Sequence, residues 1–225
     1  MLRLKTIHQD TFELLKELFA GNDLNAFALA GGTALALQLG HRISIDLDFL
    51  TGKEFDSFAL FERLSESFDV ENSSTARNSL SLFIKQQGSS VKTDFIRHNY
   101  PRLKSLLTTN GIRLFALEDI AAMKLNAVAN RGAKAELSSL SAQTKLMPLR
   151  YKKDFYDIHA LLSRFSLPEL LGFFEDKYQK MNSFTVTKSL AYFDDADLEP
   201  DPMSLMNLSW EQIKADLKLA LRDAT

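Results

Sequence analysis

Two carboxylates separated by one residue, Asp46 and Asp48, stand in the run HRISIDLDFL, and a Gly31-Gly32-Thr33 turn precedes them at the end of an apolar stretch. An extended chain alternates its side chains, so Ser44, Asp46 and Asp48 are expected on one face of a strand over Ile43 to Leu50, with Ile45, Leu47 and Phe49 packed on the other. Two like charges at ~4 Å and an effective dielectric of ~20 repel by about 4 kcal/mol. A cation between the two carboxylates removes that cost. A third acid, Asp94, sits in VKTDFI, a second apolar segment of similar flavour. Three hard oxygen donors that leave room for water and phosphate are how Mg²⁺ is commonly held. Two such ions about 3.5–4 Å apart activate a hydroxyl and stabilise a leaving pyrophosphate. Asp46, Asp48 and Asp94 are therefore the candidate metal ligands and catalytic acids of a Mg²⁺-dependent nucleotidyl transfer, with one or two ions.

The glycine turn supplies the other half of that chemistry. Bare backbone N–H groups at a helix N-terminus form an anion site, so Gly31, Gly32 and Thr33 are candidate triphosphate ligands, with Thr33 also placed as a helix N-cap. Arg42 and Ser44, between turn and acids, are candidate phosphate contacts, while His41 reads as structural.

Elements that could position these groups follow from periodicity. Residues 10–20 form an amphipathic helix ended by Gly21, Phe27 to Ala30 a short buried strand, and Thr33 to Leu39 a helix closed by Gly40. A helix over 56–68 precedes two strands near 79–85 and 91–96, joined by Gln87-Gly88-Ser89. Beyond Pro101 the pattern turns helical: Leu117 to Asn130, 152–163, a start at Pro168, and a last helix from Trp210 to about Asp223 opened by a Ser209–Gln212 capping box. DDADLEPDP, from Asp194 to Pro202, reads as an acidic connector. The expected fold class is α+β, a mixed-sheet domain over 1–110 followed by a helical domain over 111–225.

On the helical half, Lys124 and Arg131 are two turns apart and share a face, and Lys153, Asp154 and Asp157 open another helix. Spacing alone reads Lys153 and Asp157 as a solvated i,i+4 pair worth a few tenths of a kcal/mol. A lysine that neutralises triphosphate charge is what the first half lacks, and Lys124 is expected to do this with its ammonium in a solvated cleft.

Composition narrows the surroundings. The 225 residues carry no cysteine, which excludes disulfides, zinc–thiolate sites and thiol catalysis. The N-terminus reads as an amphipathic helix rather than a signal peptide, and no apolar run reaches the ~20 residues a membrane span needs. A cytoplasmic protein without membrane attachment is expected. The net charge is −2, so any polyanion must meet a local basic patch. Two clusters are available, Lys92, Arg97, Arg102, Lys104 and Arg113, then Lys134, Lys145, Arg150, Lys152 and Lys153.

The blocks GGTAL, HRISIDLDF, VKTDF, EDIAAMKLNAVANRG and KKDFYDIHALL, with the tail SLAYFDDADLEPDP…SWEQIK, resemble the AbiEii/AbiGii nucleotidyltransferase toxin family over nearly the whole chain. The resemblance implies a nucleotidyltransferase of two domains with its active site in the cleft between them. It implies that Gly32 and Thr33 hold phosphate, that Asp46 and Asp48 bind metal, that Lys124 and Arg131 contact nucleotide, and that Asp154 and Asp157 complete the cleft. It further implies an NTP donor, RNA such as tRNA as acceptor, and the role of toxin in an abortive-infection or toxin–antitoxin pair opposed by a separately encoded antitoxin. Ala135 to Tyr151 departs from the family pattern as an insertion, expected at the rim of the cleft. Alternatives are a small-molecule or protein nucleotidyltransferase, or a catalytically silent module that binds nucleotide or a partner.

Overall fold

The computed structural model describes residues 1–130 and 152–224. Arg131, Lys134, Lys145, Arg150 and the insertion from Ala135 to Tyr151 lie outside the described residues. The chain divides into two compact units, Met1–Leu117 and Glu118–Thr225.

The first unit is built on a seven-stranded mixed sheet in the order β3-β4-β5-β2-β1-β7-β6. The strands are β1 (Ala28–Ala30), β2 (Leu47–Thr51), β3 (Asp69–Ala76), β4 (Ser79–Gln86), β5 (Ser89–Arg97), β6 (Leu107–Thr109) and β7 (Ile112–Leu114). β2 runs parallel to β5 and β1 parallel to β7, while the other neighbours are antiparallel. β4 and β5 meet through Gln87 and Gly88, both at positive φ (47° and 94°), the backbone of a tight hairpin turn. Helices α1 (Gln9–Ala20), α2 (Gly31–Leu39) and α3 (Ser57–Ser67) complete the unit. α2 ends at Gly40, whose φ of 82° lets its N–H reach the Ala36 carbonyl. Asp56 caps α3 by accepting from the Phe58 and Ala59 N–H groups.

Aromatic packing fixes the centre of this sheet. Phe49 of β2 and Phe95 of β5 are register partners and stack 5.1 Å apart, both fully buried. Phe27 meets Phe95 edge-on and Phe19 meets Phe49 in the same way. The strands that carry the candidate acids are thus anchored by residues on their opposite face.

The second unit is helical among the described residues, with α4 (Leu117–Ala129), α5 (Lys152–Leu162), α6 (Leu167–Lys177), α7 (Ser183–Leu190), the single turn α8 (Asp194–Asp197) and α9 (Trp210–Asp223). Reciprocal capping boxes start α6 at Ser166/Glu169 and α9 at Ser209/Gln212. Part of DDADLEPDP is therefore helical rather than connector. Trp210 stacks on Tyr156 and meets Phe155 and Phe193 edge-on, joining α5 to α9. No helix among the described residues is long and apolar enough to cross a membrane.

Asp197 ties α8 to α9. Its carboxylate accepts from Lys214 Nζ at 2.8 Å and from Trp210 Nε1 at 2.5 Å, and these bonds, Lys214 first, hold its pKa below the usual carboxylate value. A lowered folded-state pKa stabilises above the unfolded value and loses that contribution as pH falls through the folded one. The stability gap between wild type and Asp197→Asn should therefore shrink as pH drops below about 4. Urea titrations at pH 7 and pH 3 check this, read through Trp210, the only tryptophan in the chain. An undiminished gap at pH 3 contradicts it.

Candidate active site

The glycine turn and the acids come together in the first unit. Gly31 opens α2 with φ of 64°, and a Cβ placed on it falls 2.1 Å from Asp48 Oδ2. The missing side chain is thus the space that the Asp48 carboxylate uses. A Cβ on Gly32 falls 2.2 Å from Arg42 Nη2 and 3.4 Å from Ser44 Oγ, so the buried guanidinium lies against this second glycine. Thr33 Oγ1 hydrogen-bonds the Asp46 carbonyl and lies 2.8 Å from Ser44 Oγ. Ala30, next to Gly31, is the register partner of Asp48 across β1 and β2, and Asp48 is in turn the register partner of Asp94 across β2 and β5.

Several expectations change in detail. β2 begins at Leu47, so Asp46 precedes the strand instead of sharing it with Asp48. Ile45 is 44% exposed rather than packed, because the chain before Leu47 is held by the Ser44 N–H bond to the Thr6 carbonyl and not by a ladder. Thr33 is not the N-cap. Ala30 occupies that position, and Thr33 sits inside the first turn with its hydroxyl spent on the Asp46 loop. His41 is buried, in keeping with a structural role.

Asp94 differs most from expectation. Its Oδ1 accepts from Ser81 Oγ at 2.5 Å and its Oδ2 is ion-paired with Lys92 Nζ. Among the described residues no three His, Asp or Glu side chains converge as a metal-ligating group. Asp46, Asp48 and Asp94 suit a hard divalent cation by donor type, but the third carboxylate is held by neighbours of its own sheet.

The two glycines should respond differently to substitution. Gly31→Ala puts a side chain at positive φ, costing about 1–2 kcal/mol, and pushes the Asp48 carboxylate aside. Turnover should fall on the order of 10²-fold, the cost of a misplaced reacting group. Gly32→Ala meets the far end of a flexible arginine and should lose less. Equal turnover in Gly31→Ala and wild type, with circular dichroism confirming both folded, contradicts the geometry.

In the second unit Lys124 lies between two acids of one helix face. Its Nζ is 2.8 Å from Asp154 Oδ1 and 2.6 Å from Asp157 Oδ2, and the Asp157 side chain is fully buried. This corrects the expected solvated ammonium: Lys124 is only 8% exposed. Asp157 thereby belongs to a buried network instead of the solvated surface pair that spacing suggests, and Lys153 is half-buried. A second pair, Lys177 with Asp119 at 2.7 Å, is fully buried and ties α6 to α4. Spacing rules could not find it, because the partners are 58 residues apart.

The basic clusters are only partly available to a polyanion. Lys152 is 4% exposed, donates to the Glu199 carbonyl and pairs with Asp201 at 3.1 Å. Arg113 donates to the Leu24 and Phe27 carbonyls and lies over the Phe19 ring. Both serve the fold, while Arg102 and Lys104 are exposed.

Relatives and fold neighbours match nearly the whole chain. An uncharacterized protein of Aquifex aeolicus (strain VF5) is 30% identical over 235 residues, covering 99% of this chain and 98% of that one. Two Helicobacter pylori crystal structures share the fold. JHP933 does so with a TM-score of 0.57 at 17% identity, over 97% of this chain and 93% of its own. A candidate nucleotidyltransferase does so with a TM-score of 0.56 at 15% identity, over 96% and 95%. Residues 13–224 match the family described as "Nucleotidyl transferase AbiEii toxin, Type IV TA system". With that match spanning both units and their acidic and glycine blocks, the chain belongs to the AbiEii toxin family and is a nucleotidyltransferase.

Proposed function

We propose that this enzyme transfers a nucleoside monophosphate from an NTP to a hydroxyl of RNA, such as a tRNA end, with Mg²⁺ and release of pyrophosphate. The observation that carries the reading is the packing of Asp48 against the bare Gly31 α-carbon, which sets a carboxylate beside the N-terminus of α2. Asp46 and Asp48 would hold Mg²⁺, with Asp94 as third ligand. When bound, the metal supplies Lewis-acid stabilisation of charge on the reacting phosphate. The α2 N-terminus at Gly31, Gly32 and Thr33 binds triphosphate oxygens through backbone N–H groups. Arg42, buried beside Gly32, adds a fixed positive charge, and the Thr33 and Ser44 hydroxyls hold the Asp46 loop in place. Lys124, Asp154 and Asp157 form a fixed charge network in the second unit that supports nucleotide binding together with Arg131 and Lys153.

The cellular role that fits this chemistry is growth inhibition as a toxin, countered by a separately encoded antitoxin, and membership of a family described as a toxin of a type IV TA system supports it. The second reading is a small-molecule or protein acceptor. It is favoured by the net charge of −2 and by the commitment of Lys152 and Arg113 to internal bonds. Incubation with each α-labelled NTP, Mg²⁺ and total cell extract separates the two. Label that migrates with tRNA and is lost to nuclease is expected. Label lost only to protease, or found only in small molecules, replaces the RNA reading with the second.

A further inference from the structure

Lys92 and Asp94 are two residues apart on β5, so their side chains leave the same face of the strand. The pair is partly sheltered, with side chains 27% and 16% exposed. The ammonium takes one oxygen of Asp94, and the hydroxyl of Ser81, the register partner on β4, takes the other. On its other side Asp94 has Asp48 as register partner. Two carboxylates in register on neighbouring strands repel unless a cation lies close by. Lys92 provides that charge here.

We propose that Lys92 is a tethered counter-cation that occupies Asp94 in the metal-free enzyme and is displaced when a divalent ion reaches that carboxylate. The inference rests on the reading of Asp46, Asp48 and Asp94 as the divalent-ion ligands. An ion that binds Asp94 must break the Lys92 pair and settle near its charge, so both effects weaken metal loading. Removing the ammonium should therefore tighten divalent binding, the reverse of what loss of an ordinary stabilising residue does.

The test is Mn²⁺ binding to the full chain, read from the electron paramagnetic resonance signal of free Mn²⁺ without nucleotide. Lys92→Met should lower the dissociation constant about tenfold, equivalent to about 1.4 kcal/mol. Lys92→Gln should act in the same direction, and Lys92→Arg, which keeps the charge, should bind as wild type does. Asp94→Asn should weaken binding, and adding Lys92→Met to it should change little further. If Lys92→Met and Lys92→Gln bind no more tightly while Asp94→Asn binds more weakly, the counter-cation role is wrong and the ligand reading stands. Equal tightening by Lys92→Met with or without Asp94 marks a general charge effect and also overturns the proposal. Unchanged affinity in Asp94→Asn removes Asp94 from the ligands, and the proposal falls with it.

Discussion

Lys124→Ala is expected to destabilise the protein by about 3–5 kcal/mol, because it leaves two buried carboxylates without their shared cation. Urea denaturation checks this directly. The loss should be much smaller when Asp154 and Asp157 are changed to Asn in the same chain, since the stranded charges are then gone. Nucleotide transfer should fall with the fold of the second unit. Wild-type stability of Lys124→Ala contradicts the buried network. It would restore the simpler picture, drawn from spacing alone, of a lysine facing solvent.

Asp46→Asn is expected to behave in the opposite way. Asp46 is half-buried at the edge of β2, and its structural tie to Thr33 runs through its backbone carbonyl rather than its side chain. Stability should stay within about 0.5 kcal/mol of wild type. Turnover should drop by at least about 10²–10³-fold through loss of a metal ligand and its electrostatic effect. Thermal melting and NTP turnover, measured on one preparation, separate the two roles. An unfolded variant makes the carboxylate structural, and a folded one with full turnover removes Asp46 from the metal ligands.

The contrast shows what was legible in the chain. Elements with strong periodicity were readable, including α1, α4, α9 with its Ser209–Gln212 box, and the β4–β5 hairpin at Gln87-Gly88. β3 was not, because Asp69–Ala76 is almost wholly exposed at the sheet edge and carries no apolar alternation. The strand with Asp48 was readable, but its start was not. Ile45 looks like a core residue, yet the backbone before Leu47 follows a tertiary bond from Ser44 to Thr6.

At the site, residue types were legible and their partners were not. Gly31-Gly32 signals a turn, but only the folded chain sets Asp48 against one glycine and Arg42 against the other. Lys92, Lys152 and Arg113 all read as surface charges. The fold gives them Asp94, Glu199 with Asp201, and the Leu24 and Phe27 carbonyls respectively. Lys92 and Asp94 do share a strand face by their spacing, but Lys152 and Asp201, 49 residues apart, leave no local spacing signal.

The position of the label in the donor separates transfer of a nucleoside monophosphate from transfer of a phosphoryl group. Parallel reactions with α-labelled and γ-labelled NTP, with Mg²⁺ and cell extract, should mark the acceptor only from the α position. The γ label should appear as pyrophosphate. Asp46→Asn should abolish both signals. Acceptor marked from the γ position would instead make the chain a phosphotransferase and contradict the account.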